Sequence, residues 1–70
     1  YLRDAMRIAI TQGTVSISIL QRRIGIGYPR AGKIIDELES RGYISEVNDE
    51  HKREILMTKD EFEKVFGEKF

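Results

Sequence analysis

Residues 21–36, QRRIGIGYPRAGKIID, constrain this chain more than any other stretch. They read as a short helix, a glycine-bearing turn and a second helix, with four cations and no acid between Gln21 and Ile35. A helix-turn-helix joins its helices through such a turn and lays the second in a DNA major groove. Gly25 and Gly27 offer two permissive backbones around Ile26, an apolar residue placed to plug a core. Pro29 suits the first position of the following helix, where its missing N–H costs nothing.

The flanks extend the pattern. Leu2, Ala5, Met6, Ala9 and Ile10 form one stripe of an amphipathic helix, and Gly13 stands where such a helix ends. Residues 14–17 are short and β-branched, which predicts a small strand. Ser18 followed by Gln21 predicts a capping box opening a helix over 19–24. The helix after the turn is expected to run to about Arg41 and stop at Gly42. Residues 43–45 and 53–57 then read as two strands around a polar tip at 46–52. A second capping box at Thr58 and Glu61 predicts a closing helix over 58–67, with Phe62, Val65 and Phe66 on one face. The expected fold class is α+β, mostly α. It is a winged helix-turn-helix with a three-helix core over residues 1–57, a short β-hairpin wing and an extra C-terminal helix.

Seventy residues make one small domain, whose core is marginal without careful packing. There is no cysteine, so no disulfide or thiolate metal site staples it, which suits a reducing cytoplasm. No apolar run approaches the length of a membrane span, so no direct membrane contact is expected. The chain opens on Tyr1 without an initiator methionine, which fits a segment of a longer protein. Its twelve cations and twelve acids cancel, but not locally. Residues 1–35 hold six cations and one acid; residues 36–70 hold six cations and eleven acids. A molecule so polarised docks a polyanion in one orientation.

At about 100° of rotation per residue, the helix over 29–41 separates into two faces. Ala31, Ile34, Ile35 and Leu38 belong to the core. Pro29, Lys33, Asp36 and Ser40 lie opposite, with Arg30 and Glu37 on one flank. Outward side chains of the first two turns reach base edges: Lys33 can donate to guanine and Asp36 can accept from a cytosine amino group. Arg30, at the flank, has both phosphate and a neighbouring guanine open to it. Arg22 and Arg23 are expected on the sugar-phosphate backbone, fixing register. The helix N-terminus at Ser18 can also present amides to a phosphate. Gln21 and Tyr28 complete the expected backbone set, although Tyr28 alone reads rather as packing at the helix start. Lys52 and Arg53 are expected to bring the wing to DNA, with Asp49 and Glu50 turned away.

Blander readings stand beside these. Paired arginines on an exposed helix are most often a solvated face. Lys33 and Asp36, one turn apart, can be a surface ion pair of little worth. His51 is the sole histidine, and no nucleophile-base set or metal cluster emerges, so no catalysis is expected of this segment. A transcriptional or plasmid-replication regulator of the same fold, and a protein-interaction winged helix whose acidic half makes the contact, both stay open.

The run also resembles the LQRRxxIGYxRAxxLID signature of the FtsK/SpoIIIE gamma domain. The resemblance covers roughly residues 1–57, is dense from Val15 to Glu39, and resumes with Arg-Glu-Ile-Leu at 53–56. It implies a winged-helix module at the C-terminus of a membrane-tethered, hexameric DNA translocase acting at the division septum. ATP and magnesium would serve the motor, and no cofactor is implied for this segment. Implied partners are double-stranded DNA, the motor domain of the same protein with several copies acting together, and a XerD-type recombinase. Short, directional, G-rich sequences would orient motor loading. The family's base-contacting positions fall on Pro29, Lys33 and Asp36. The family usually carries Asn or another polar residue at the first and Arg at the second; proline offers no side-chain hydrogen bond and lysine lacks arginine's bidentate fork, which implies an altered or relaxed preference. Gly32, usually alanine, should cost about 1 kcal/mol of helix stability.

Overall fold

A computed structural model describes residues 1–50 and 53–70. Among these described residues four helices follow one another: α1 (Leu2–Gln12), α2 (Ile17–Ile24), α3 (Tyr28–Ser40) and α4 (Lys59–Phe66). In α1 the expected stripe faces inward, with Ala5, Met6 and Ala9 fully buried and Leu2 and Ile10 packed against them. Gly13 closes the helix in the left-handed region at φ 75° and donates its N–H to the Ala9 carbonyl.

The start of α2 corrects the expectation. Residues 14–17 do not form a strand, and the helix begins at Ile17 rather than Ile19. Ser16 is the N-cap: its backbone is extended and its Oγ accepts from the Ile19 N–H at 3.2 Å. Both serines are competent caps, so hydrophobic phase decides between them. Starting at Ile17 adds that residue to the inward side with Leu20 and Ile24, three and seven positions apart. Leu20 is fully buried, with Ile17 and Ile24 packed on the core.

The turn between α2 and α3 needs one unusual backbone, not two. Gly25 has φ 77° and returns its N–H to the Gln21 carbonyl at 3.1 Å. Gly27 has φ −74°, open to any residue, and serves as the N-cap of α3. Ile26 packs against the core as a plug between them. Along α3, Ala31, Ile34, Ile35 and Leu38 are buried as the helical wheel requires. The helix ends at Arg41 in a Schellman motif: Gly42 adopts φ 78°, and the N–H groups of Gly42 and Tyr43 bond the Glu39 and Leu38 carbonyls, both at 3.0 Å.

The expected hairpin is thinner than two full strands. Among the described residues, Ile44 and Ile55 form an isolated antiparallel bridge. Around it, Ser45 N–H bonds the Glu54 carbonyl at 2.9 Å, while Leu56 and Met57 both donate to the Tyr43 carbonyl. Ile44 and Met57 are buried, so this segment is held by its inward side chains. Arg53 adds a clamp, donating Nη1 to Glu39 at 2.7 Å and to the Ser45 carbonyl at 3.0 Å.

Helix α4 opens on the expected capping box, Thr58 and Glu61 exchanging both hydrogen bonds at 3.1 Å. It closes the open side of the core. Phe62 is fully buried, stacks obliquely on Phe66 at 4.9 Å between ring centroids, and meets Phe70 edge-on at 5.3 Å. Val65 does not belong to this face; it is 51% exposed. With the buried face centred between Phe62 and Phe66, Val65 lies about 80° away, at its edge. Among the described residues no helix is long and apolar enough to cross a membrane.

Candidate nucleic-acid interface

Helices α2 and α3 present their polar faces on either side of the Gly25 turn. Arg22 and Arg23 occupy the last turn of α2, and both are exposed. Opposite the buried stripe of α3, Pro29, Lys33, Asp36 and Ser40 are all exposed, with Arg30 and Glu37 beside them. The missing N–H of Pro29 falls in the first turn, among donors with no intrahelical partner. These side chains therefore stand on rigid helical backbone rather than on loops.

What each charge touches separates them. Arg41 donates Nε to Glu37 at 2.8 Å, a helical i,i+4 pair. The Glu37 carboxylate, and to a lesser degree the Tyr43 side chain, hold the Arg41 guanidinium more firmly protonated than a free arginine. Glu37 is thus partly neutralised on its flank. Lys33 and Asp36 behave differently: among the described residues neither takes part in a salt bridge, so they are not the surface pair that their spacing permits. Arg22 and Arg23 are likewise outside every ion pair found there. Arg30 places its guanidinium over the Tyr1 ring, 5.7 Å from the centroid.

Arg3 and Arg7 leave the basic half of the sequence for another task. Glu68 bridges both at 3.2 Å, and Arg7 also donates to the carbonyls of Lys69 and Phe70 at 3.0 Å. The Arg7 guanidinium lies 5.0 Å from the Phe62 ring and 5.1 Å from the Phe70 ring. These two cations tie α1 to the C-terminal segment, so the free basic surface is narrower than the composition suggests.

The residues expected at the sugar-phosphate backbone fall into two places. Ser18, Tyr28 and Arg53 line one cleft of about 410 Å³, joined there by Thr14, Ser16 and Val47. Arg22 and Arg23 line a separate hollow of about 370 Å³ with Gln12 and Ile19. Gln21 lies in neither; it is half-buried, and its carbonyl caps the end of α2. Tyr28 is 64% exposed, contrary to its reading as a packing residue, because it heads α3 before the buried stripe begins. Arg53 is largely covered and held by Glu39, while Lys52 lies outside the described residues. Thr14, Ser16 and Gln12 were not singled out from sequence. For Ser16 the signal was present, as a cap three residues before Ile19; for the others only folding places them beside the candidates.

Comparison with known proteins places this geometry. Residues 1–58 match the family described as "Ftsk gamma domain". The chain is 41% identical over 68 residues to the "DNA translocase FtsK" of Caldanaerobacter subterraneus subsp. tengcongensis, covering 97% of the chain and 10% of that protein. It is 36% identical over 62 residues to the "DNA translocase SpoIIIE" of Bacillus subtilis, covering 89% of the chain and 8% of that protein. With the "DNA translocase FtsK" of Rhizobium meliloti, identity is 47% over 54 residues, 77% of the chain and 6% of that protein. The chain therefore spans about a tenth of the length of the curated relatives it matches, or less. The turn, the two helices and the polar faces they carry all fall within the matched region, and the chain belongs to the FtsK gamma domain family.

Proposed function

We propose that this domain binds double-stranded DNA in a sequence-dependent way and orients an FtsK/SpoIIIE-type translocase on it. The observation that carries the reading is that, among the described residues, Arg22, Arg23, Lys33 and Asp36 on α2 and α3 take part in no ion pair, whereas Arg3, Arg7, Arg41 and Arg53 are each matched to an acid. In this reading α3 lies in the major groove as the second helix of a winged helix-turn-helix. Pro29, Lys33 and Asp36 face the bases, with Arg30 at their flank. Arg22, Arg23, Ser18, Gln21 and Tyr28 attend the backbone. The segment around the Ile44–Ile55 bridge acts as the wing, reaching DNA through Lys52, with Arg53 chiefly anchoring its base.

Lys33 supplies a donor for guanine, and Asp36 an acceptor for a cytosine amino group on the opposite strand of a G-rich site. An unpaired acid inside a basic face repels phosphate unless a base donor meets it, which is why Asp36 favours a reader over a general polyanion binder. One small domain neutralises few phosphates and binds weakly alone. Several copies tethered through the motor domains would raise the effective concentration. The parent protein would supply ATP- and magnesium-dependent pumping on the cytoplasmic side of the membrane at the septum. Contact with a XerD-type recombinase belongs to the same proposal.

The test is affinity on a directional G-rich duplex, its single-base variants and a scrambled control. Lys33→Ala and Asp36→Ala should flatten the differences between duplexes, whereas Arg22→Ala and Arg23→Ala should weaken all of them alike. Parallel losses from all four on every duplex would remove the division between readers and positioners. Unchanged affinity from all four would favour a protein partner at the acidic half.

A further inference from the structure

We propose that Tyr1 is a positioning residue for DNA binding, its ring holding the Arg30 guanidinium ready for a phosphate of the duplex. The inference rests on the DNA-binding reading above and adds a residue outside the helix-turn-helix to it.

Arg30 is the third residue of α3, and its guanidinium lies 5.7 Å from the centroid of the Tyr1 ring. That separation is within the range over which an aromatic face attracts a cation. Tyr1 is fixed at the start of α1, where its carbonyl accepts the Ala5 N–H at 2.9 Å. Tyr1 is 58% exposed and does not belong to the buried core.

The kind of contact matters. Arg3, Arg7, Arg41 and Arg53 all spend N–H groups on oxygen acceptors of the protein. A guanidinium over a ring is restrained by attraction to the aromatic face rather than by hydrogen bonds, so its five donors remain available. Arg30 is therefore held without being satisfied, which is the arrangement an incoming oxyanion needs. Its direction selects the kind of oxyanion. Arg30 stands roughly 90° around α3 from the centre of the Pro29, Lys33 and Asp36 face. A side chain at that angle, drawn toward the beginning of α1, meets the wall of a groove rather than its floor. The sequence left phosphate and guanine both open to Arg30; the Tyr1 contact favours phosphate.

The experiment measures fluorescence anisotropy of the 70-residue chain with a labelled G-rich duplex and a scrambled duplex at low salt. The variants are Tyr1→Leu, Tyr1→Phe, Arg30→Ala and Tyr1→Leu combined with Arg30→Ala. Losing the ring should weaken binding about three- to fivefold on both duplexes, the scale of an exposed cation–π contact. Tyr1→Phe should restore wild-type affinity. In the Arg30→Ala background Tyr1→Leu should add nothing, and its melting temperature should match the wild type. Wild-type affinity for Tyr1→Leu, or an equal loss with and without Arg30, would overturn the positioning role. A loss confined to the G-rich duplex would overturn the phosphate assignment. Failure of the wild-type chain to bind any duplex would bring down the DNA-binding reading itself, and this inference with it.

Discussion

Seven arginines divide by what their guanidinium groups touch. Arg3 and Arg7 hold the C-terminal segment, Arg41 sits on Glu37, and Arg53 clamps Glu39 to the Ser45 carbonyl. Among the described residues Arg22 and Arg23 take part in no ion pair, and Arg30 lies over the Tyr1 ring. Substituting the exposed Arg22, Arg23 or Lys33 should leave stability within about 0.5 kcal/mol of wild type, because exposed positions without partners carry little folding energy. Any DNA phenotype from these variants is then separable from misfolding by a melting curve. Gly32 offers the opposite case. An added Cβ would meet Ile17 Cδ1 at 3.8 Å, an ordinary contact, and the position is helical. Gly32→Ala should therefore stabilise the domain by about 1 kcal/mol, and thermal denaturation should show the gain. The residue faces of α3 were legible because a 3.6-residue period assigns them without tertiary knowledge. The fate of Arg3 and Arg7 was not, since their acceptors lie more than sixty positions away in the chain.

Elements depend on caps and on phase. Ser16→Ala removes the acceptor for the Ile19 N–H and should cost about 1 kcal/mol, while Ser18→Ala, inside the helix and exposed, should be close to neutral. Equal losses in urea titrations would contradict the assignment of the cap. Helix α4 matters more. Phe62 is fully buried against α1 and the Phe66 and Phe70 rings, so Phe62→Ala should cost about 3–5 kcal/mol. In so small a domain that approaches the whole stability. Thr58 and Glu61 announced this helix, and the apolar period announced its buried ring. The choice of Ser16 over Ser18 was harder to read, because two serines two residues apart satisfy the same local rule. Core burial of Ile17 broke the tie. The strands at 43–45 and 53–57 were overestimated for a related reason: Ile44, Ile55 and Met57 give the alternation, but among the described residues what pins them is inward packing and one bridge rather than a long ladder.

For the whole molecule, zero net charge conceals a narrow basic surface. Once Arg3 and Arg7 are drawn into the seam between α1 and the C-terminal segment, the available cations on α2 and α3 are Arg22, Arg23, Arg30 and Lys33. With Lys33 on a base, three phosphates neutralised per copy by Arg22, Arg23 and Arg30 give a slope of log affinity against log salt of about −3, with Lys52 adding to it if the wing engages. A much steeper slope for one copy would mean that DNA reaches beyond this face. If the domain orients a translocase as proposed, Lys33→Ala in the full-length protein should leave DNA-stimulated ATP hydrolysis intact and remove the directional bias of loading. The central claim is that this face reads a polar sequence. Its most direct test is selection from random duplex DNA by the domain fused to a trimeric scaffold, at two salt concentrations. An asymmetric, G-rich motif should be enriched and should survive the higher salt. A palindromic motif would point to a regulator of the same fold, and no enrichment at either salt would contradict the claim outright.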